Sequence, residues 1–364
     1  MKRMNLKLAH YYPRAWIGDG GCSSAVRGWA SALAETGADV TVVCDGNGAP
    51  PTTTDVRWLS IQHRGWGRMR APIGLEGLLE GRDVLVLHSG WVYHNLRAAR
   101  SAARVRVPYV LTPHGAYDPN IFKRGSTLKR LWWTLFEHHL VTGARAIHVF
   151  FEEQRDELRQ LGYTGPVIVV PSGLTIPDCQ TRPGRSQFLL WMGRFDIEIK
   201  GIDLLLRALA SLPPSVRPQT RLHGPDWRGG KHRAGQLVRE LGIDDYVHIG
   251  PPLYGPQKWA ALRSCGLFIF PSRWEGQGLM ALEAAAAAAP LVVTSTTSVG
   301  RLLAAAQAAV LVEPTVESIE TGIARAYSLS NAGEFGARAS QFVREKFSWP
   351  ALAQSYAQQL TELL

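Results

Sequence analysis

"PSRWEGQGLMALEA", residues 271–284, decides how the rest of the chain is read. It leaves the apolar run "GLFIFPS" (266–272), passes two glycines and enters a helix-like stretch. A short, wholly apolar run is the pattern of a strand covered on both faces. Gly276 and Gly278 leave room for a ligand beside the backbone. Leu279, Met280 and Ala281 open the helix, and their N–H groups have no partners within it. Such a helix start is a phosphate-sized pocket made of backbone. Glu275 lies in the loop and Glu283 in the helix. A carboxylate repels phosphate, so Glu283 suits two neighbouring hydroxyls, as on a ribose. The surrounding "ALEAAAAAAP" is apolar on every side, and a buried carboxylate needs a partner. A ligand role is therefore favoured over a solvent-facing cap. Glu275 is placed to accept from sugar hydroxyls or to orient nearby cations.

A second junction, "WMGRFDIEIKGIDLLL", ends a strand at Gly193 and supplies Arg194 and Lys200 before Gly201. Two cations at a strand end can clamp a diphosphate. Local pairing with Asp196 and Glu198 is the alternative, and both stay open here. "GDGGCSSAV" sets Gly18, Gly20 and Gly21 before a helix spanning about 23–35. It reads as an anion-binding turn or as a plain tight turn. "VLTPHGAYDP" places His114 directly after a strand, to bond a sugar hydroxyl, carry a proton or serve structure. His138 and His139 read as structural. No D-x-D, G-x-S-x-G or Walker A pattern occurs, and no His/Asp triplet has metal-ligand spacing.

Outward from these junctions the chain alternates strand and helix twice, over 364 residues. That length predicts two domains. The N-terminal Rossmann-like domain is expected over 1–177. A polar linker, "DCQTRPGRS", is expected over 178–186. A second Rossmann-like domain is expected over 187–345 and a terminal amphipathic helix over 346–364. Ligands of parallel sheets bind beyond the carboxyl ends of the strands, so two facing domains with one substrate each are expected.

The formal charge is +10, and residues 1–150 hold 19 Lys/Arg against 10 Asp/Glu. This suits a phosphorylated substrate or an anionic membrane face; nucleic acid is the weakest fit, since no zinc finger or RNA-binding motif appears. Within "IQHRGWGRMR" (61–70), Arg64, Arg68 and Arg70 around Trp66 are candidates for a membrane contact, although a mobile solvated loop is the favoured reading. Most of the twelve Trp are expected to fill core or cleft. Four cysteines without a CxxC pair suit a reduced, cytoplasmic protein. The N-terminus reads as a first strand and not a signal peptide, and no apolar stretch reaches the length of a membrane span.

Taken together, these stretches resemble the retaining glycosyltransferases of family 4, with the GT-B fold. "GRFDIEIKG" resembles the family's G-R…K-G element, and "PSRWEGQGLMALEA" its E-x7-E element. "GPDW", "YVHIGPPLYGPQK" and the closing "FSWPALAQSYAQQL" lie where the family has two turns and a returning helix. "LTPHGAYDPN" is similar to enzymes that build bacterial surface polysaccharides. The resemblance implies a glycosyl group moved from a nucleotide-diphosphate sugar to an acceptor hydroxyl with retention. It implies no metal or other cofactor, a glycan or lipid-linked acceptor, and a cytoplasmic location, peripheral on the membrane's inner face. Arg194 and Lys200 would neutralise the diphosphate, Glu283 would hold the ribose, and Gly193, Gly278, Leu279 and Met280 would meet the donor. Glu275 and His114 would lie near its sugar, and Gly20 and Gly21 at the reaction centre. Gln277, Ser172 and Ala288 depart from the family's usual Phe, Asn and Gly. An epimerase or phosphorylase on the same fold is the alternative, and a non-catalytic sugar-nucleotide or membrane binder a weaker one.

Overall fold

The computed structural model describes residues 6–14, 20–45, 55–66, 69–123, 126–177, 188–328 and 332–364. Gly18, Arg68, Cys179 and the expected linker 178–186 lie outside the described residues. Two units form, one of Met1–Thr175 with Phe347–Leu364, the other of Ile176–Lys346.

Unit 1 holds β1 (Lys7–Tyr11), β2 (Asp39–Asp45), β3 (Val56–Ile61), β4 (His63–Arg64), β5 (Ala71–Pro72), β6 (Val84–His88), β7 (Tyr109–Thr112), β8 (Ala146–Val149) and β9 (Val167–Val169). Seven of these make one parallel sheet in the order β3-β2-β1-β6-β7-β8-β9. β3 is an edge strand with no counterpart in the sequence reading. β4 and β5 pair as a hairpin, so "IQHRGWGRMR" is not the free loop expected of it. Its Trp66 is 87% exposed, one that does not fill core or cleft as most Trp are expected to.

Unit 2 holds β10 (Leu189–Met192), β11 (Thr220–His223), β12 (Val247–Gly250), β13 (Leu267–Phe270), β14 (Leu291–Thr294) and β15 (Val310–Val312). Their order is β12-β11-β10-β13-β14-β15, and every recorded pairing is parallel. β10 and β13 are buried at all four positions, as strands with helices on both faces must be. Numbered along its own strands, the unit 1 sheet runs 3-2-1-4-5-6-7 and the unit 2 sheet 3-2-1-4-5-6. The chain direction across the sheet reverses between β1 and β6 in unit 1 and between β10 and β13 in unit 2. Ligands of such parallel sheets bind beyond the strand ends at this reversal.

The terminal helix Trp349–Leu363 belongs to unit 1, with Pro350 in its first turn, where a missing N–H costs nothing. Ala353, Tyr356, Ala357 and Leu360 face the core. Trp29 of the helix Gly21–Glu35 meets both Trp349 and Tyr356, with ring centroids 5.3 and 4.8 Å apart. Ser172, where the family usually has Asn, is fully buried and accepts a 3.0 Å hydrogen bond from Trp29 Nε1. No helix among the described residues is long and apolar enough to cross a membrane.

Candidate active site

In unit 2 the loops that leave the two switch-point strands lie against each other. β10 continues into Gly193, Arg194 and the turn that carries Lys200, and β13 continues into Pro271–Gly278. Gly201 (φ 64°) starts the helix Ile202–Ser211 so close to the second loop that a Cβ would lie 1.9 Å from the Pro271 carbonyl oxygen. No other residue type fits there. This contact brings Lys200 to Glu275: its Nζ pairs with Glu275 Oε1, which also accepts a 2.7 Å bond from the Ser272 hydroxyl. Ser272 is fully buried, and its carbonyl accepts from Thr294 Oγ1 at the end of β14. The Glu275 carboxylate is thus held from both sides of the crevice.

Gly278 (φ 74°) starts the helix Leu279–Ala286 without a side-chain cap. A Cβ at Gly278 would meet Val299 Cγ1 at 2.5 Å. Ala281, Leu282 and Ala284–Ala286 are buried, while Leu279, Met280 and Glu283 keep partial exposure. The sequence reading gave Glu283 no protein partner. The structure supplies one: Lys258 Nζ, from the helix Gly255–Ser264, lies 2.6 Å from Glu283 Oε1. Lys258 stands inside "YVHIGPPLYGPQK", but nothing local to that stretch points it at residue 283. Arg194 takes a different environment from Lys200. Its guanidinium lies over the Trp227 ring, 4.3 Å from the centroid, and 3.8 Å from Asp196 Oδ2, which is the local pairing considered above. Arg273 forms a bidentate bond to Asp203, at 2.8 and 2.7 Å, that ties the second loop to the helix Ile202–Ser211.

Unit 1 has its own cluster at the same topological position. Gly20 is the extended N-cap of the helix Gly21–Glu35, again without a side-chain cap, and Gly21 is its first residue. His10 of β1, His88 of β6 and His114 after β7 form a chain: His10 Nδ1 to His88 Nε2 is 3.0 Å, and His88 Nδ1 to His114 Nε2 is 3.0 Å. Burial pushes all three below the ordinary imidazole value, His10 and His114 to about 3. The rings are therefore neutral at physiological pH. Backbone strain gathers here, since Ser89 (φ 75°), Trp91 (φ 62°) and His114 (φ 54°) are all left-handed. Non-glycine residues held this way concentrate at functional sites. Buried Asn95 fixes the turn after β6 by donating to the carbonyls of His88 (3.0 Å) and Ser89 (2.8 Å). Buried Glu137 accepts from the Trp91 amide (2.8 Å), the Tyr117 hydroxyl (2.7 Å) and the Trp132 indole (3.0 Å). His138 and His139 are exposed. Among the described residues no group of three or more His, Cys, Asp or Glu comes together as a metal site.

Two family models divide the chain between them. Residues 20–173 match the glycosyl transferase 4-like domain, and residues 175–345 match the glycosyl transferases group 1. The chain belongs to the group 1 glycosyltransferases. Among relatives of this group 1 protein, the D-inositol 3-phosphate glycosyltransferase of Kineococcus radiotolerans is 32% identical over 181 residues, 44% of this chain and 41% of that one. The GDP-mannose:cellobiosyl-diphosphopolyprenol alpha-mannosyltransferase of Xanthomonas oryzae pv. oryzae is 25% identical over 62% of this chain and 60% of its own. The match thus spans less than two thirds of either relative. Among solved structures, Anabaena HepE in complex with UDP and glucose has a TM-score of 0.80 at 16% identity, covering 98% of this chain and 100% of that one. Sucrose-phosphate synthase from Thermosynechococcus elongatus scores 0.78 at 19% identity, covering 99% of each chain. At these identities the likeness is one of fold, and that fold is GT-B.

Proposed function

We propose that this group 1 glycosyltransferase moves a glycosyl group from a nucleoside diphosphate sugar to an acceptor hydroxyl, with retention at the anomeric carbon. The observation that carries the reading is the pair of Lys–Glu contacts, Lys200–Glu275 and Lys258–Glu283, on either side of the uncapped helix start at residue 279. A diphosphate against the free amides of Leu279 and Met280 meets the helix dipole and the two lysines. Arg194 and Lys200 stabilise the charge that develops on the leaving phosphate. Glu283 takes the ribose hydroxyls, Glu275 and Gly193 adjoin the donor sugar and phosphates, and the departing phosphate oxygen accepts the acceptor's proton. Unit 1 serves the acceptor, with Gly20, Gly21 and His114 as its contacts to the reacting groups.

The acceptor is read as lipid-linked or glycan, engaged from a membrane face. Supporting this, Leu128, Leu131 and Leu135 are 75%, 54% and 52% exposed on one helical stretch beside exposed Arg130. Trp66, on the β4–β5 hairpin, stands beside exposed Arg64. Apolar side chains bordered by arginines suit an anionic bilayer surface. The test is release of nucleoside diphosphate from UDP-, GDP-, ADP- and dTDP-sugars, with and without candidate acceptors. Release that requires both substrates is expected. Conversion of the donor sugar with no acceptor present would identify an epimerase and overturn transfer. Sedimentation with phosphatidylglycerol vesicles but not phosphatidylcholine vesicles, lost in Leu128→Ser/Leu131→Ser, tests the membrane contact.

A further inference from the structure

His10, His88 and His114 sit on three different strand ends, and their rings touch only in series. Each contact needs one N–H and one lone pair. A neutral imidazole has one of each. His88 is 1% exposed and uses both nitrogens, so it must donate to one neighbour and accept from the other. Two donors aimed at it would require an imidazolate, and two acceptors a buried cation. The protons therefore run one way along the chain, and only two orders exist. In the first, His10 Nδ1–H donates to His88, His88 Nδ1–H donates to His114 Nε2, and His114 keeps its proton on Nδ1. In the second, every proton is reversed.

The buried end chooses between them. His10 Nε2 is fully buried and has no hydrogen-bond partner. The reversed order would put an N–H there, and an orphaned buried N–H is rarer in proteins than an under-used acceptor. The first order leaves only a lone pair unmatched. His114 lies at the open end, in part exposed, and lines a pocket with Gly115, Tyr117, Phe150 and Glu157. We propose that His10 and His88 are positioning residues that fix His114 as a one-sided donor, with Nδ1–H left for an oxygen of the bound substrate. His114 then donates to a hydroxyl, carbonyl or phosphate oxygen and is not a general base. Burial of all three rings keeps the chain neutral and the order intact.

A free imidazole prefers its proton on Nε2, so an Nδ1–H form of His114 reports the chain and not the ring's own bias. The experiment is a long-range nitrogen–proton NMR correlation on the full protein with 15N-labelled histidine, with His114→Gln identifying the His114 signals. The expected result is His114 as the Nδ1–H tautomer, unchanged from pH 8 to pH 5.5. His10→Phe removes the first donor without touching His114, and should move His114 toward the Nε2–H form. An Nε2–H tautomer in the unaltered protein would overturn the proposal, whether or not the variant folds. So would a His114 tautomer indifferent to His10→Phe. The identity of the oxygen rests on sugar transfer as proposed above, but the tautomer does not. Loss of the transfer reading with Nδ1–H intact would leave the positioning chain standing.

Discussion

Replacing Lys200 by Met keeps the length of the apolar stem and removes the charge. In the structure its ammonium pairs with Glu275, and the two side chains are 18% and 12% exposed. Breaking a fully buried pair by removing one partner costs about 3–5 kcal/mol, because the other charge is left uncompensated. Here some solvent still reaches both groups and Ser272 still donates to Glu275 at 2.7 Å. We therefore expect Lys200→Met to cost unit 2 roughly 2–3 kcal/mol. Adding Glu275→Gln removes the stranded charge, leaves an acceptor for Ser272, and should restore about 2 kcal/mol of that loss. Turnover should behave otherwise. A preorganised group that meets developing charge is worth about 100- to 1000-fold in kcat, and the second substitution cannot return it. Scanning calorimetry of wild type, both single variants and the double variant gives the stability cycle, and nucleotide-release kinetics on the same samples give the other. Turnover that recovered along with stability in the double variant would mean that Lys200 acts only by holding Glu275. A single variant as stable as wild type would mean that the pair is not formed in solution.

Two further expectations concern stability. Burial lowers His10 to about 3 and His94 and His148 to about 4, against an ordinary value of 6.5. The unfolded chain thus binds protons that the folded chain refuses, and the stability present above pH 6.5 is lost as pH falls toward the folded values. By pH 5 each of these histidines removes about 2 kcal/mol. Asp45 and Glu137, raised by burial, work in the opposite direction and reduce the net loss. All five lie in unit 1, so native-state hydrogen exchange at pH 5 should show unit 1 losing protection before unit 2, and equal loss in both would refute the assignment. Separately, Ala288 stands at φ 57° just after the helix Leu279–Ala286, where the family more often has glycine. Ala288→Gly should stabilise the protein by about 0.5–1 kcal/mol, since the left-handed strain outweighs the extra chain entropy; a lower melting temperature would count against this.

Much of the geometry at the unit 2 switch point was legible because it is local. Glu275, Gly278 and the helix start follow one another in "PSRWEGQGLMALEA", and each follows from strand, turn and helix rules. Lys200 and Arg194 were legible as cations at a strand end, but not that Lys200 turns to Glu275 while Arg194 lies over Trp227. That choice depends on how close two loops approach, which Gly201 permits. Lys258 could not be matched to Glu283 from spacing, because they sit on different helices. The histidine chain is further from local signals still. His10 and His88 are 78 positions apart, and His88 and His114 are 26 apart. Only the 3-2-1-4-5 strand order sets β1, β6 and β7 side by side. β3 is a half-exposed edge strand whose sequence, VRWLSI, carries no unbroken apolar run, and Gly65 and Gly67 disguised the hairpin as loop.

The two switch points, reached by the same topology, carry opposite electrostatics, and this bears on where the basic charge of residues 1–150 acts. In unit 2 the crevice is lined by paired ions, which under the proposed function an arriving diphosphate re-partners. In unit 1 it is lined by neutral imidazoles that burial keeps from charging, so it offers single hydrogen bonds and little attraction for phosphate. Arg64 and Arg130 stand instead next to the exposed Trp66 and the leucines at 128, 131 and 135. A cation set beside exposed apolar side chains gains little from a small polar substrate. It gains about 1 kcal/mol from an anionic bilayer that also takes up its apolar neighbours. Under the proposed function, the excess charge of the first half belongs to the surface on which the acceptor is presented.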